Sequence, residues 1–252
     1  MKKFIYSAFI LLLAVKCLPT HAQNTIFLSQ GRIEYEKTEN NWAKIDDIDW
    51  DMGDFKENMK KNTTQFKTSY FDLRFKGNKT MFQPGRESDS KGGMFFWNIA
   101  ADNVVFNNLD EQMSTSQKNV FEQTFLIHDT TRRIQWKITN ETRNIAGFDC
   151  RRANALIMDS IYIVAFYTDA IVAPGGPESF TGLPGMILGI AIPHEHVTWF
   201  ATKVYTETIT DADLLPPTKG KKVTNLSLIT TLQDRMKEWG KEGRQNVKQV
   251  ML

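Results

Sequence analysis

Cysteine is nearly absent from this sequence, and that shortage already excludes one way of holding a fold together. Cys17 lies in an N-terminal leader, so Cys150 is the one cysteine outside it, and an intramolecular disulfide is ruled out even in an oxidising compartment. A lone thiol of this kind reads as a buried apolar side chain, with a metal thiolate or an intermolecular bridge as its other uses. Histidine is scarce as well: His128, His194 and His196 are the three beyond the leader. No motif ties any of them to a nucleophile and an acid, and no serine stands in Gly-x-Ser-x-Gly. A phosphate-cradling glycine loop is missing too, because Gly182-Leu183-Pro184-Gly185 contains a residue without an amide hydrogen and runs into an apolar strand rather than a helix. Carboxylate pairs such as Asp46-Asp47 and Glu34-Glu36 read as solvated faces. The expectation is a protein that is not an enzyme and needs no cofactor.

Long hydrophobic runs are limited to the start of the chain. Lys2-Lys3 precedes an apolar stretch from Phe4 to Val15, and Thr20-His21-Ala22 places a small residue before Gln23, which together read as a secretory signal peptide over residues 1–22. That stretch is too short for a membrane span. Lys16 precedes Cys17 where a lipoprotein signal requires a small residue, so simple export is favoured over a lipid anchor. No later stretch is apolar enough to cross a bilayer, and the expected location is the periplasm or the periphery of an outer membrane. Residues 1–22 carry three lysines and no acid, so the formal charge of +2 becomes −1 without them. Nothing in that balance argues for nucleic acid.

Residues 23–252 are enough for one β-rich domain with its own core. Phe27 to Lys37 alternates as a half-exposed strand with Ile33 and Tyr35 on one face, and Asp54 to Asn62 carries Phe55 and Met59 at helical spacing. Aromatic and polar residues alternate on both sides of Gly77-Asn78 between Phe66 and Phe82, a hairpin signal. Met94 to Phe106 and Asn119 to Ile127 read as further strands separated by the polar Leu109 to Lys118. Ile134 to Ile138 alternates strictly, Asn140 to Asn144 supplies a turn, and Ile161 to Tyr167 is apolar on both faces, as a covered central strand is. Leu228, Ile229, Leu232, Met236 and Trp239 recur at helical spacing, which predicts a C-terminal helix over about 223–243, capped by Thr224, as the cover of that strand. The fold class that follows is mainly β with helices (α+β): a curved antiparallel sheet or half-barrel covered by the C-terminal helix.

The most specified stretch runs from Gly175 to Ile190, where Gly182 and Gly185 flank Leu183-Pro184 and so allow positive φ on either side of a residue whose φ is fixed. Together with Trp136-Lys137-Ile138, Glu141, Gly147, Cys150 and Ala153, this loop resembles the GLPGLI family (Porph_ging-type secreted proteins of Bacteroidetes), with Met186 where the family has Leu. The resemblance spans roughly Ile134 to Trp199. It implies export and an association with outer-membrane uptake systems, and it carries no settled activity.

Two candidate sites emerge. In the first, the strand after the loop presents Met186, Leu188, Ile190 and Ile192 on one face and Ile187, Gly189 and Ala191 on the other. Two small residues there leave room for an apolar ligand, for an envelope partner, or simply for the C-terminal helix. Phe180, Gly182, Leu183, Pro184, Gly185, Met186 and Gly189 are the contact residues this predicts, for a non-enzymatic, outer-membrane-associated binding or accessory protein. The second candidate is His194-Glu195-His196: in an extended strand residues two apart point the same way, so both imidazoles would share one face and could hold copper or zinc. A third ligand could be His128, Asp129, Glu195 or Cys150, and a solvated hairpin end is the plain alternative.

Overall fold

The computed structural model describes residues 27–48, 54–88 and 100–252; the signal peptide and the first part of the strand expected from Met94 lie outside them. The described residues form one 12-stranded sheet with strand order β12-β6-β5-β4-β3-β2-β1-β11-β10-β9-β8-β7. In chain order these are β1 (Gln30–Asn40), β2 (Phe66–Lys76), β3 (Lys79–Pro84), β4 (Val104–Asn108), β5 (Met113–Val120), β6 (Gln123–Thr130), β7 (Lys137–Ile145), β8 (Phe148–Ile157), β9 (Ile161–Thr168), β10 (Met186–Ile192), β11 (Val197–Tyr205) and β12 (Lys221–Val223). Every pairing is antiparallel except that of β12 with β6, and the sheet is open. Helices are few: α1 (Asn41–Asp46), α2 (Asp54–Lys61), α3 (Asn225–Met236) and α4 (Gly240–Met251). None of the described helices is long and apolar enough to cross a membrane.

Much of the alternation read from the sequence is realised. Ile33 and Tyr35 are fully buried on one face of β1, and Gly77 takes φ +56 at the first of the two turn positions joining β2 to β3. Thr224 caps α3 by accepting a hydrogen bond from the Ser227 amide. β9 is buried on both faces apart from Tyr162.

Four local expectations are corrected. Leu109 to Lys118 is not a separator: β5 starts at Met113, and the expected strand from Asn119 instead contains the hairpin turn at Phe121-Glu122. Met113 to Asn119 is polar at almost every position, so a period of two has nothing to mark. Ile134 to Trp136 is irregular chain rather than strand, because its side chains pack against the main apolar cluster and the Trp136 indole N–H donates to the Thr181 carbonyl at 2.9 Å. β7 runs straight through Asn140 to Asn144 with a register irregularity, and the turn comes at Ala146-Gly147, both at positive φ. The C-terminal helix is two helices, broken where Gly240 takes φ +57.

Those helices also lie elsewhere than expected. Leu228, Leu232, Met236, Val247 and Val250 pack with Val120, Phe125 and Ile127, so α3 and α4 cover the β5–β6 end of the sheet. The larger apolar cluster is built on β1, β2 and β8 to β11. In it the second face of β10 is covered at Gly189 by Ile145, at the end of the β7–β8 hairpin, with the Arg143 guanidinium 4.8 Å from the Phe200 ring centre.

A half-buried charge cluster sits at the end of β1. Glu39 accepts from Lys44 Nζ at 2.6 Å and lies 3.8 Å from Lys37 Nζ. Burial alone would raise its carboxyl pKa, but Lys37, Lys44 and Lys67 together lower it to about 2. A depressed carboxyl stabilises the fold above its unfolded pKa, and that contribution disappears as pH falls toward the folded one. Glu39→Gln should therefore lose about 3 kcal/mol near pH 6, and the gap to the parent should close between pH 5 and pH 2. Urea denaturation across that range measures it; a constant gap would mean that Glu39 is not held by its lysines.

Candidate functional site

The connection from β9 to β10 is built from close backbone approaches, and these explain its glycines. A Cβ on Gly185, which has φ +142, would stand 2.1 Å from the Thr168 carbonyl oxygen. On Gly175 it would meet Thr80 at 2.7 Å, and on Gly176 the Ile187 Cβ at 2.8 Å. The Gly185 amide donates to the Leu183 carbonyl at 2.8 Å, a three-residue turn centred on Pro184 whose fixed φ suits the inverse γ conformation. The Ile187 amide then donates to Gly175 O at 2.8 Å, and the Met186 amide to Ile171 O at 3.1 Å. From β1, the Tyr35 hydroxyl donates to the Ile187 carbonyl at 2.6 Å in a fully buried setting.

The structure divides the expected contact residues into two sets. Phe180, Leu183, Gly185, Met186 and Gly189 are buried, whereas Gly182 and Pro184 are exposed at the crest of the loop. The expected alternation along β10 is broken by a register shift between Ile187 and Gly189 in the pairing with β9. Gly189 does not open a groove: its missing side chain is replaced by Phe200, 2.6 Å from an added Cβ, and by Ile145 at 3.1 Å. The close packing expected there as the plain alternative is present, but a strand and a hairpin supply it rather than the C-terminal helix.

The histidine pair also takes a different shape. Pro193–Glu195 is a 3-10 turn and His196 is left-handed at φ 51, so residues two apart are rotated away from one another instead of sharing a strand face. His194 is exposed, and His196 Nε2 lies 2.8 Å from Asp47 Oδ2. Glu195 turns inward to accept from Gln249 Nε2 at 3.4 Å, and burial raises its carboxyl pKa. Cys150 is a buried free thiol whose pKa burial and the nearby Asp149 push up to about 12. His128 is on β6, with five strands between it and β11 in the sheet order. Among the described residues no three metal-ligating side chains converge.

A polar cluster that the sequence did not point to adjoins the same loop. Glu178, buried, accepts from Asn103 Nδ2 at 2.9 Å. Lys118, also buried, donates to the Val250 carbonyl at 2.7 Å, Arg132 donates to Met251 O, and Ser179 Oγ donates to Leu252 O at 3.4 Å. These donors satisfy the last carbonyls of α4 and place two cations at the negative end of its dipole. Burial lowers the Lys118 pKa to about 8 and that of Arg132 to about 10, with Glu178 opposing both shifts. Arg132 Nη1 and Asn103 Oδ1 are buried without a hydrogen bond among the described residues.

With this geometry in hand, the chain can be set beside known proteins. The family described as "Protein of unknown function (Porph_ging)" matches residues 156–189, the segment from the end of β8 to Gly189, and this is the family that the loop resembles. PNGF-II in a P21 crystal form superposes with a TM-score of 0.50 at 16% identity, covering 77% of this chain and 32% of its own. Its C2 form gives 0.51 at 15% identity, covering 78% and 31%. The chain thus spans about a third of the PNGF-II chain, and at these identities the likeness is one of fold. No curated protein matches.

The two loop glycines differ in what they tolerate. Gly182→Ala meets only Trp136 at 3.7 Å and suffers from φ +93 alone, a cost of about 1–2 kcal/mol. Gly185→Ala collides with a backbone oxygen and should lose more than about 4 kcal/mol, or fail to fold. Urea midpoints of the two variants test this order, and equal losses would refute the close approach.

Proposed function

We propose that this chain is a non-enzymatic, exported binding or accessory protein of the cell envelope that meets an apolar ligand or an envelope partner through the crest of the Gly175–Gly189 region. The observation that carries this reading is the contrast within the loop. Gly182 and Pro184 reach solvent, while Phe180, Leu183 and Met186 on either side are buried in the main apolar cluster. A crest anchored in this way meets a partner with little conformational entropy left to lose. Trp136, half-buried and hydrogen-bonded to Thr181, forms its flank, and β9 and β10 serve as the rigid base.

Pro184→Asp changes the crest without entering the core. With partners captured from the organism's own envelope fraction and identified by mass spectrometry, the parent should retain one partner or lipid species that the variant loses, the variant melting only about 1–4 °C lower for the lost φ restriction. The same species recovered with both would remove the crest from the binding surface.

The second reading, a copper or zinc site at His194 and His196, has one observation in its favour: the fold brings Asp47 to His196. Under this reading either metal raises the melting temperature by mass action, and His194→Ala with His196→Ala abolishes the rise. A rise of the same size in both proteins would dismiss it.

A further inference from the structure

Between the β5–β6 hairpin and the end of α4 lies a partly enclosed cavity of about 40 Å³, lined among others by Lys118, Arg132, Ser116, Ser179, Asp129 and Asn225. That is roughly three times the space one water needs. Its lining is rich in donors. Lys118 is 6% exposed and uses one of its three N–H groups on Val250 O, and Arg132 Nη1 is enclosed without a protein acceptor. The Ser116 hydroxyl stands beside them, while the Ser179 hydroxyl is already donated to Leu252 O.

The acids nearby are already engaged. Glu178 accepts from Asn103, and the two oxygens of Asp129 accept from the Thr130 amide at 2.8 Å and the Asn225 amide at 3.0 Å, the latter at the start of α3. Glu178 and Asp129 keep their charge and offset the two cations, so what the cavity has left over is donor capacity: Arg132 Nη1 and the two spare N–H groups of Lys118 lack a protein acceptor among the described residues. Such a donor set is matched by an acceptor-only group that carries negative charge.

We infer that this cavity is a binding site for a small oxyanion, a carboxylate or phosphate group, held by Lys118 and Arg132 against the Ser116 hydroxyl. The site is separate from the crest of the loop and does not depend on its role. Because the same two cations hold the last carbonyls of α4, occupancy also stiffens that helix. Burial, with Arg132 and Lys37 adding to it and Glu178 opposing, lowers the Lys118 pKa to about 8, so Lys118 loses its charge and binding weakens as pH rises through that value.

The test titrates the full chain with sodium phosphate and, separately, with sodium acetate at pH 7, against sodium chloride at matched ionic strength, following calorimetric heat and melting temperature. A saturable response to at least one oxyanion is expected, with a rise of about 5 °C at a hundredfold excess over Kd; which of the two binds more tightly identifies the group. Affinity should fall at least about tenfold in Arg132→Lys, which keeps a charge but loses Nη1, and again in Lys118→Met. It should also fall between pH 7 and pH 9 in the parent, and amides of α4 should exchange more slowly with the anion bound. If Lys118→Met does not fold, Arg132→Lys and the pH series decide. A response to chloride equal to that of both oxyanions, no saturable response, or unchanged affinity in Arg132→Lys each overturns the proposal.

Discussion

The sheet depends on how closely the backbone at Gly185 passes the end of β9. The Thr168 carbonyl occupies the space a side chain would need, so β10 can enter the ladder beside β9 only because Gly185 has none. β10 joins two halves of the sheet, with β9, β8 and β7 on one side and β11, β1 and the remaining strands on the other. A displacement at this point would separate the register of both halves. The Tyr35 hydroxyl on the Ile187 carbonyl reinforces the junction from β1, across an intervening strand, at the irregular step in β10 where a ladder hydrogen bond is disturbed.

The same connection also closes the gap between two apolar clusters. One is built on the strands around β10 and the other under α3 and α4. Glu178 and Ser179, from the first half of the connection, stand where these clusters meet, opposite Lys118, Arg132 and the last turn of α4. Buried charges are costly unless they are hydrogen-bonded. Here the carbonyls that a helix end leaves without partners supply the acceptors, so a helix terminus and two cations satisfy one another.

The outermost strands show how an open sheet of this size avoids pairing with other chains. β7 is a charged edge, with Lys137, Glu141 and Arg143 and a register irregularity that disrupts its ladder, and β12 at the other end is three residues long. Exposed apolar residues such as Leu156 and Tyr162 pair with each other across β8 and β9 rather than along an edge.

The sequence by itself determined the β-rich class, the first hairpin with its Gly77 turn, the capped start of α3 and the loop as the most constrained stretch. Each of these is a local matter of alternation, turn chemistry or capping, decided within a few residues. Tertiary structure decided the rest. Whether Gly189 faced a groove or a neighbour depended on Phe200 and Ile145, which come from other strands. The splitting of the loop into a buried base and an exposed crest depended on where the main cluster lay. His194 and His196 lost their common face because Pro193 opens a 3-10 turn, and Asp47 reached His196 across most of the chain. Lys118 was hidden in a run that is polar throughout, where period two distinguishes no inside from outside. Its burial follows only from α4 folding back over β5, because the carbonyl that holds its ammonium, that of Val250, belongs to a helix 132 residues further along the chain.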